Sequence, residues 1–119
     1  MSIESRYQVL SYEVNKAWNW RRGDGKNPGE LGGFTNTTPD LARALRKNPH
    51  LKVMVASGRY DLGTTFSASD WSLAQLDVGP EIHKRITHHY YDAGHMMYTR
   101  QADLKKLKTD LDAFVRSTQ

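Results

Sequence analysis

Two stretches of the chain decide its fold: Leu51-Lys52-Val53-Met54-Val55-Ala56 and Ile86-Thr87-His88-His89-Tyr90-Tyr91. Both are short runs rich in β-branched or aromatic residues, which is typical of strands. The first has the continuous apolar character of a parallel strand that is covered on both faces. A helical pattern follows each run, so the order is strand, helix, strand, helix. We therefore predict an α/β fold in which a right-handed crossover joins two parallel strands.

Three helices are predicted around these strands. The first begins at Thr38-Pro39-Asp40, which provides a hydroxyl N-cap, a proline in the first turn and an acid near the positive end of the helix dipole. Thr64 or Thr65 caps the second helix, and Thr99 caps the third. The side chains expected to face inward are Leu41, Ala42 and Leu45 in the first helix, Trp71, Leu73, Ala74 and Leu76 in the second, and Leu104, Leu107, Leu111 and Phe114 in the third.

Residues 1–37 differ in character from the rest of the chain. A helix is predicted over Tyr7–Trp18, and a glycine-rich loop follows it up to residue 37. Its Gly-Asp-Gly-Lys stretch lacks the spacing of a phosphate-binding loop. We therefore divide the chain into residues 1–37, a helix with a loop, and residues 38–119, the α/β segment.

Composition excludes several classes of function. The chain has 119 residues, the length of one typical domain. It has no cysteine, which excludes disulfides, thiolate metal sites and a cysteine nucleophile. No apolar run approaches the roughly 20 residues of a membrane helix, so we expect no membrane partner. The net charge of +4 comes partly from clusters in which acids such as Asp103 and Asp110 interleave with the bases. This mixture favours solvated helix faces over a nucleic-acid surface, and no nucleic-acid partner is expected.

A sheet of only two parallel strands presents a physical difficulty. Parallel sheets are found buried, and two strands are marginal without further partners. The strand Leu51–Ala56 expects neighbours on both edges, but this sequence supplies only one obvious one. Because an open apolar edge is a pairing site, we expect it to receive further strands or a second copy of the chain.

An acid and a histidine follow these two strands. Asp61 comes shortly after the first strand, and His95 comes shortly after the second. Parallel strands bring their carboxyl ends to one edge, so these side chains are expected to meet there. A carboxylate that holds an imidazole can make it the base for a serine nucleophile. The alternative is a turn aspartate and a loop histidine that are satisfied by the backbone.

The nucleophile that would complete such a triad is absent from the sequence. In α/β hydrolases the chain order is serine, then acid, then histidine, and the serine lies in a Gly-x-Ser-x-Gly turn. None of the eight serines lies in such a turn. The sequence therefore predicts the later part of an enzyme whose serine is elsewhere.

From about Tyr7 to its end, the chain resembles the C-terminal portion of the serine carboxypeptidase family, in its bacterial, proline-poor branch. The resemblance rests on Tyr12-Glu13-Val14-Asn15, Trp18-Asn19-Trp20, Ser57-Gly58-Arg59-Tyr60-Asp61-Leu62 and Ala93-Gly94-His95-Met96-Met97-Tyr98. It covers nearly the whole chain but only about a quarter of a complete enzyme. The family's nucleophile motif and its disulfides are missing here.

This resemblance carries expectations about fold and function. It implies the C-terminal part of an α/β-hydrolase sheet, with residues 1–37 as the end of a cap or insert region. It implies that Asp61 is the catalytic acid, that His95 is the catalytic base, and that Met96 lines the substrate pocket. The substrate is then a peptide, no cofactor or metal is needed, and another chain or segment carries the serine. The isolated chain is expected to be inactive.

Two other functions stay open on the sequence. One is acyl transfer on the same scaffold, with an alcohol in place of water. The other is a non-catalytic α/β module that binds a partner or itself through the open sheet edge. The compartment also stays open, because it is periplasmic or secreted if the full-length protein carries a signal peptide and cytoplasmic otherwise.

Overall fold

The structure is a computed structural model that describes residues 8, 10–20 and 35–119. The chain divides into two compact units, Met1–Asn36 and Thr37–Gln119, which are described separately. Most of the predicted glycine-rich loop, residues 21–34, lies outside the described residues, as does Tyr7 at the start of the predicted first helix.

The first unit contains helix α1, Tyr12–Ala17. The Ser11 hydroxyl accepts a hydrogen bond from Val14 N at 3.3 Å and caps the helix. After the helix, the Trp20 indole N–H donates to Asn15 O at 3.2 Å. All residues of α1 are exposed.

The second unit contains a two-stranded parallel sheet, formed by β1, Val53–Gly58, and β2, Ile86–Tyr91. Val53 pairs with Ile86 and Gly58 pairs with Tyr91, without a break between them. The bounds predicted for β2 are correct, whereas β1 begins two residues later than predicted and extends to Gly58. Leu51 N donates back to Asn48 O at 3.2 Å, so that residue closes a turn instead of joining the ladder. The predicted mixed α/β class and the parallel pair are confirmed.

The helices of this unit are α2, Thr38–Lys47, α3, Phe66–Ala74, α4, Pro80–His83, and α5, Gln101–Ser117. Thr65 caps α3 through a hydrogen bond from Ala68 N, as predicted for one of the two candidate threonines. The prediction that Thr99 caps the last helix is wrong. Thr99 ends a short 3-10 turn and donates its hydroxyl to Met96 O at 2.8 Å, and α5 begins at Gln101 with Arg100 in the N-cap position.

The core of this unit is small. Among the described residues, the buried apolar side chains are Ala42, Leu45, Leu76, Tyr91 and Ala93. The predicted burial is wrong for four side chains, since Trp71 is 64% exposed and Ala74, Leu104 and Leu111 are also exposed. Two strands present too narrow a surface to cover the apolar sides of both α3 and α5.

Arg85 connects α2 to the start of β2. Its guanidinium donates to Leu45 O at 2.8 Å, to Asn48 O at 2.7 Å and to Leu51 O at 3.3 Å. These are carbonyls of the last turn of α2 and of the turn that follows it. Because helix ends leave carbonyls unpaired, one cation here satisfies several acceptors at once.

The opposite end of the sheet depends on Gly58. A Cβ atom on this residue would lie 2.5 Å from Ala93 O and 2.9 Å from Gly94 C, and nearer still to Gly94 O. The obstructing atoms belong to the backbone, so they cannot move aside as a flexible side chain would. Only glycine lets the end of β1 approach the loop after β2 this closely.

We predict that Gly58→Ala lowers the free energy of unfolding by about 1–3 kcal/mol, the usual range for overpacking. The reason is the clash with the backbone of residues 93–94. Urea unfolding followed by far-UV circular dichroism measures the change. Gly79→Ala is the matched control, because a Cβ atom there meets nothing within 4 Å. Equal stabilities of the two variants would contradict the prediction.

Candidate active site

The carboxyl ends of β1 and β2 lie at the same edge of the sheet, and the loops that leave them stay paired. Arg59 N donates to Tyr91 O at 2.9 Å, and Tyr60 N donates to Ala93 O at 3.1 Å. Because backbone hydrogen bonds continue beyond the last residues of the ladder, the two loops have a defined position relative to each other. The side chains that follow are therefore placed by the sheet itself.

These loops bring Asp61 and His95 together. The Asp61 Oδ2 atom lies 2.7 Å from His95 Nδ1, a hydrogen-bonding distance. The aspartate is 9% exposed, whereas the histidine side chain is 74% exposed. An inward carboxylate and an outward imidazole leave Nε2, on the far side of the ring, directed away from the acid. This arrangement orients an imidazole for proton transfer.

The second oxygen of Asp61 is also engaged. Its Oδ1 atom accepts hydrogen bonds from Thr64 N at 2.8 Å and from Gly63 N at 3.0 Å. The Thr64 N–H group, and after it the His95 imidazole, hold the pKa of the Asp61 carboxyl below its ordinary value of 3.8. The carboxylate is therefore ionised at neutral pH and prepared to stabilise a charged imidazole.

A cleft of about 200 Å³ lies beside the pair. Its lining includes Ser57, Asp61, Thr64, His95 and Met97. Met96, the residue that the family resemblance placed in the substrate pocket, is 56% exposed and is not part of this lining. Met97 and Thr64 are site residues that the sequence does not predict. Thr64 is predicted only as one of two candidate caps of α3, and its contacts with the pair depend on how the loop after β1 folds back.

The loop that carries His95 is held by a buried charge, Asp103. One of its oxygens accepts from Asp92 N at 3.2 Å, and the other accepts from the Arg100 guanidinium at 2.8 Å. Arg100 also donates to Asp92 O at 2.7 Å. The base of the His95 loop is therefore tied to the first turn of α5, where an acid also suits the helix dipole.

A second hydroxyl and imidazole lie close together near the cleft. The Ser57 Oγ atom is 2.8 Å from His88 Nε2, and His88 Nδ1 is 2.8 Å from Asp70 Oδ1. The contact between His88 Nδ1 and Asp70 does not have hydrogen-bond geometry, and His88 Nδ1 has no hydrogen-bond partner among the described residues. Asp70 instead accepts the Tyr90 hydroxyl at 2.5 Å.

This second group does not suit nucleophilic catalysis. Ser57 is only 7% exposed, and the N–H groups of Arg59 and Tyr60 are already donated to β2 and the loop after it. No backbone donor from those two residues is left to stabilise an oxyanion. The cluster instead links β1, β2 and α3 through polar contacts.

The remaining strand histidine contacts a different helix. His89 lies 3.4 Å from Asp110 of α5, whereas His88 contacts α3. The two histidines are neighbours in β2, and their side chains contact different helices. Within residues 8, 10–20 and 35–119, no group of three or more potential ligands could hold a metal ion. In the same part of the chain, no helix has the length and apolarity required to cross a membrane.

No family of known proteins, no curated protein and no solved structure matches this chain. The resemblance to serine carboxypeptidases therefore rests on the motifs quoted above.

We predict that Asp61→Asn lowers stability at neutral pH and that the deficit disappears in acid. Because the pKa of Asp61 is lowered in the folded chain, its ionisation stabilises the fold above pH 3.8, and this contribution is lost as the pH falls through the folded pKa. Urea midpoints of both proteins, measured from neutral pH down to about pH 2, test this.

The control for this experiment is Asp112→Asn. Asp112 is exposed and 3.6 Å from an exposed Arg116, so its removal is expected to change stability little. A deficit of Asp61→Asn that stayed constant down to the lowest pH would refute the assigned role of the carboxylate.

Proposed function

We propose that this chain is the C-terminal segment of a serine-type carboxypeptidase and that it supplies the acid and the base of the catalytic triad. The observation that carries the proposal is the 2.7 Å contact between Asp61 Oδ2 and His95 Nδ1. It lies beyond the carboxyl ends of two paired parallel strands, which is where open α/β sheets bind their ligands. The order acid, then histidine, also matches the order in α/β hydrolases.

In the proposed mechanism, His95 Nε2 removes the proton from a serine hydroxyl that another segment provides. The serine oxygen attacks the last peptide carbonyl of the substrate, and the imidazolium returns the proton to the leaving amine. Water then attacks the acyl-enzyme carbonyl while His95 removes its proton. The bond to the serine oxygen breaks, the imidazolium returns the proton to that oxygen, and the shortened peptide leaves with a new carboxyl group. Throughout, Asp61 holds the Nδ1 proton and stabilises the positive imidazolium. An alcohol in place of water would give acyl transfer by the same steps.

The exposure of the site supports a serine from another segment. The His95 side chain is 74% exposed, which leaves space for a serine from another segment to approach the ring. The cleft beside it offers Met97 as apolar surface for a substrate side chain.

The thin core supports a larger parent fold. Leu104, Leu111 and Val115 line an open apolar groove of about 360 Å³ along α5. In a complete α/β hydrolase, further strands and helices would cover such surfaces. The same surfaces fit the alternative of a self-associating module, but that alternative gives no reason for an acid and an imidazole to be in hydrogen-bond contact.

We predict that the isolated chain does not hydrolyse peptides and is not labelled by a fluorophosphonate probe. The reason is that it contains no serine in a nucleophile turn. Intact-protein mass spectrometry after incubation with the probe measures labelling. Stoichiometric modification of any serine, and above all of Ser57 beside His88, would show that the chain carries its own nucleophile.

The proposed function is tested by a chimera in which residues 38–119 replace the corresponding segment of an intact bacterial serine carboxypeptidase. We predict release of C-terminal residues from peptides, and a loss of roughly ten-thousand-fold in kcat on Asp61→Asn or His95→Gln. His50→Gln, which changes an exposed imidazole, is the control and should retain activity. A folded chimera whose activity is insensitive to both site variants would refute the proposal.

A further inference from the structure

Thr64 contacts both members of the Asp61–His95 pair. Its backbone N–H donates to Asp61 Oδ1 at 2.8 Å, and its hydroxyl oxygen lies 3.2 Å from His95 Nδ1. It also lines the cleft beside the pair. One residue therefore contacts the carboxylate with its main chain and the imidazole with its side chain.

The Nδ1 atom of His95 thus has two oxygen neighbours, at 2.7 Å and at 3.2 Å. The nearer one is the ionised Asp61 carboxylate, which can only accept a hydrogen bond, so this contact favours a proton on Nδ1. The Thr64 hydroxyl can then accept the same N–H as the second centre of a shared hydrogen bond. Two acceptors on one side of the ring favour the Nδ1-protonated tautomer and leave Nε2 unprotonated.

The exposure of His95 makes a second contact important. With 74% of its side chain exposed, little packing restrains the rotation of the ring. A single hydrogen bond to Asp61 fixes a distance but leaves the ring free to swing about that bond. A second oxygen at a different position around Nδ1 limits that motion.

We infer that Thr64 is a positioning residue, which keeps the His95 ring in the tautomer and orientation in which Nε2 acts as the base. This inference rests on the proposed function. Thr64 does not contact the reacting atoms, and it acts through the acid with its N–H group and through the base with its hydroxyl.

The neighbouring threonine provides a matched control. The Thr65 hydroxyl accepts from Ala68 N at 3.4 Å and from the Ser67 hydroxyl at 3.3 Å, so it caps α3 and has no hydrogen bond to His95. Thr64→Val and Thr65→Val remove the same group from adjacent residues. The first affects the imidazole, and the second affects only the helix.

The test is nitrogen-15 NMR of the histidine side chains in the full chain. For Thr64→Val, the His95 nitrogen shifts are expected to move away from the Nδ1-protonated tautomer. Its Nδ1 proton should exchange with water about fivefold faster, as expected for the loss of one hydrogen bond of ordinary strength. Thr64→Ser, which keeps the hydroxyl, should restore both values. Thr65→Val should leave the His95 signals unchanged while it lowers the stability of α3.

Unchanged His95 nitrogen shifts and exchange in Thr64→Val would overturn the inference, and so would a failure of Thr64→Ser to restore them. Thr64→Ala removes the same hydroxyl and serves as the second variant if the valine disturbs the loop. Asp61→Asn in the same spectra separates the two proposals. If Asp61→Asn leaves the His95 tautomer unchanged, the proposed function fails. If Asp61→Asn changes the tautomer but Thr64→Val does not, only the inference about Thr64 fails.

The chimera provides a kinetic readout. Thr64→Val is expected to lower kcat about fivefold with little change in KM, because a ring that is less well oriented affects proton transfer more than substrate binding. Thr64→Ser should stay near the unsubstituted chimera. A rise in KM with kcat unchanged would assign Thr64 to substrate binding and would contradict the inference.

Discussion

The structure of the site depends on the close backbone approach between the end of β1 and the loop that follows β2. Gly58 makes this approach sterically possible, and the hydrogen bonds from Arg59 N and Tyr60 N continue the pairing past the strands. Asp61, Thr64 and His95 all lie in the loops that follow this approach. Their mutual distances therefore follow from backbone geometry, in which a residue without a Cβ atom is required at one position.

Buried carboxylates then convert this backbone arrangement into a fixed site. Asp61 accepts two backbone N–H groups from the loop after β1, and Asp103 accepts one from the loop after β2. A buried carboxylate is costly unless donors surround it, so each acid in effect requires its loop to keep one conformation. The exposed imidazole of His95 is thus supported by two loops, each of which donates backbone N–H groups to a buried acid.

The sequence predicted the parts of this fold that depend on local patterns. The bounds of β2, the start of α3 after Thr65 and the contact of Asp61 with His95 follow from strand composition, capping and the topology of parallel strands. The exposure of Trp71 and Leu111 was not predictable, because helical periodicity indicates an apolar side without revealing whether anything covers it. The role of Thr64 was equally hidden, since it depends on how a loop folds back and not on a spacing along the chain.

Arg85 has a consequence for the site although it lies at the other end of the sheet. Arg85 directly precedes β2, its guanidinium binds carbonyls at the end of α2, and its own carbonyl accepts a hydrogen bond from Val53 N of β1 at 2.9 Å. It therefore helps to hold the register of the parallel pair. A slip of one residue would turn every side chain of β2 to the opposite face, and His88 and His89 would exchange their helices. It would also move the loop carrying His95 along the strand axis by roughly 3 Å, beyond the reach of Asp61. The alignment of the acid with the base is thus secured from the far side of the molecule, by a cation that contacts neither of them.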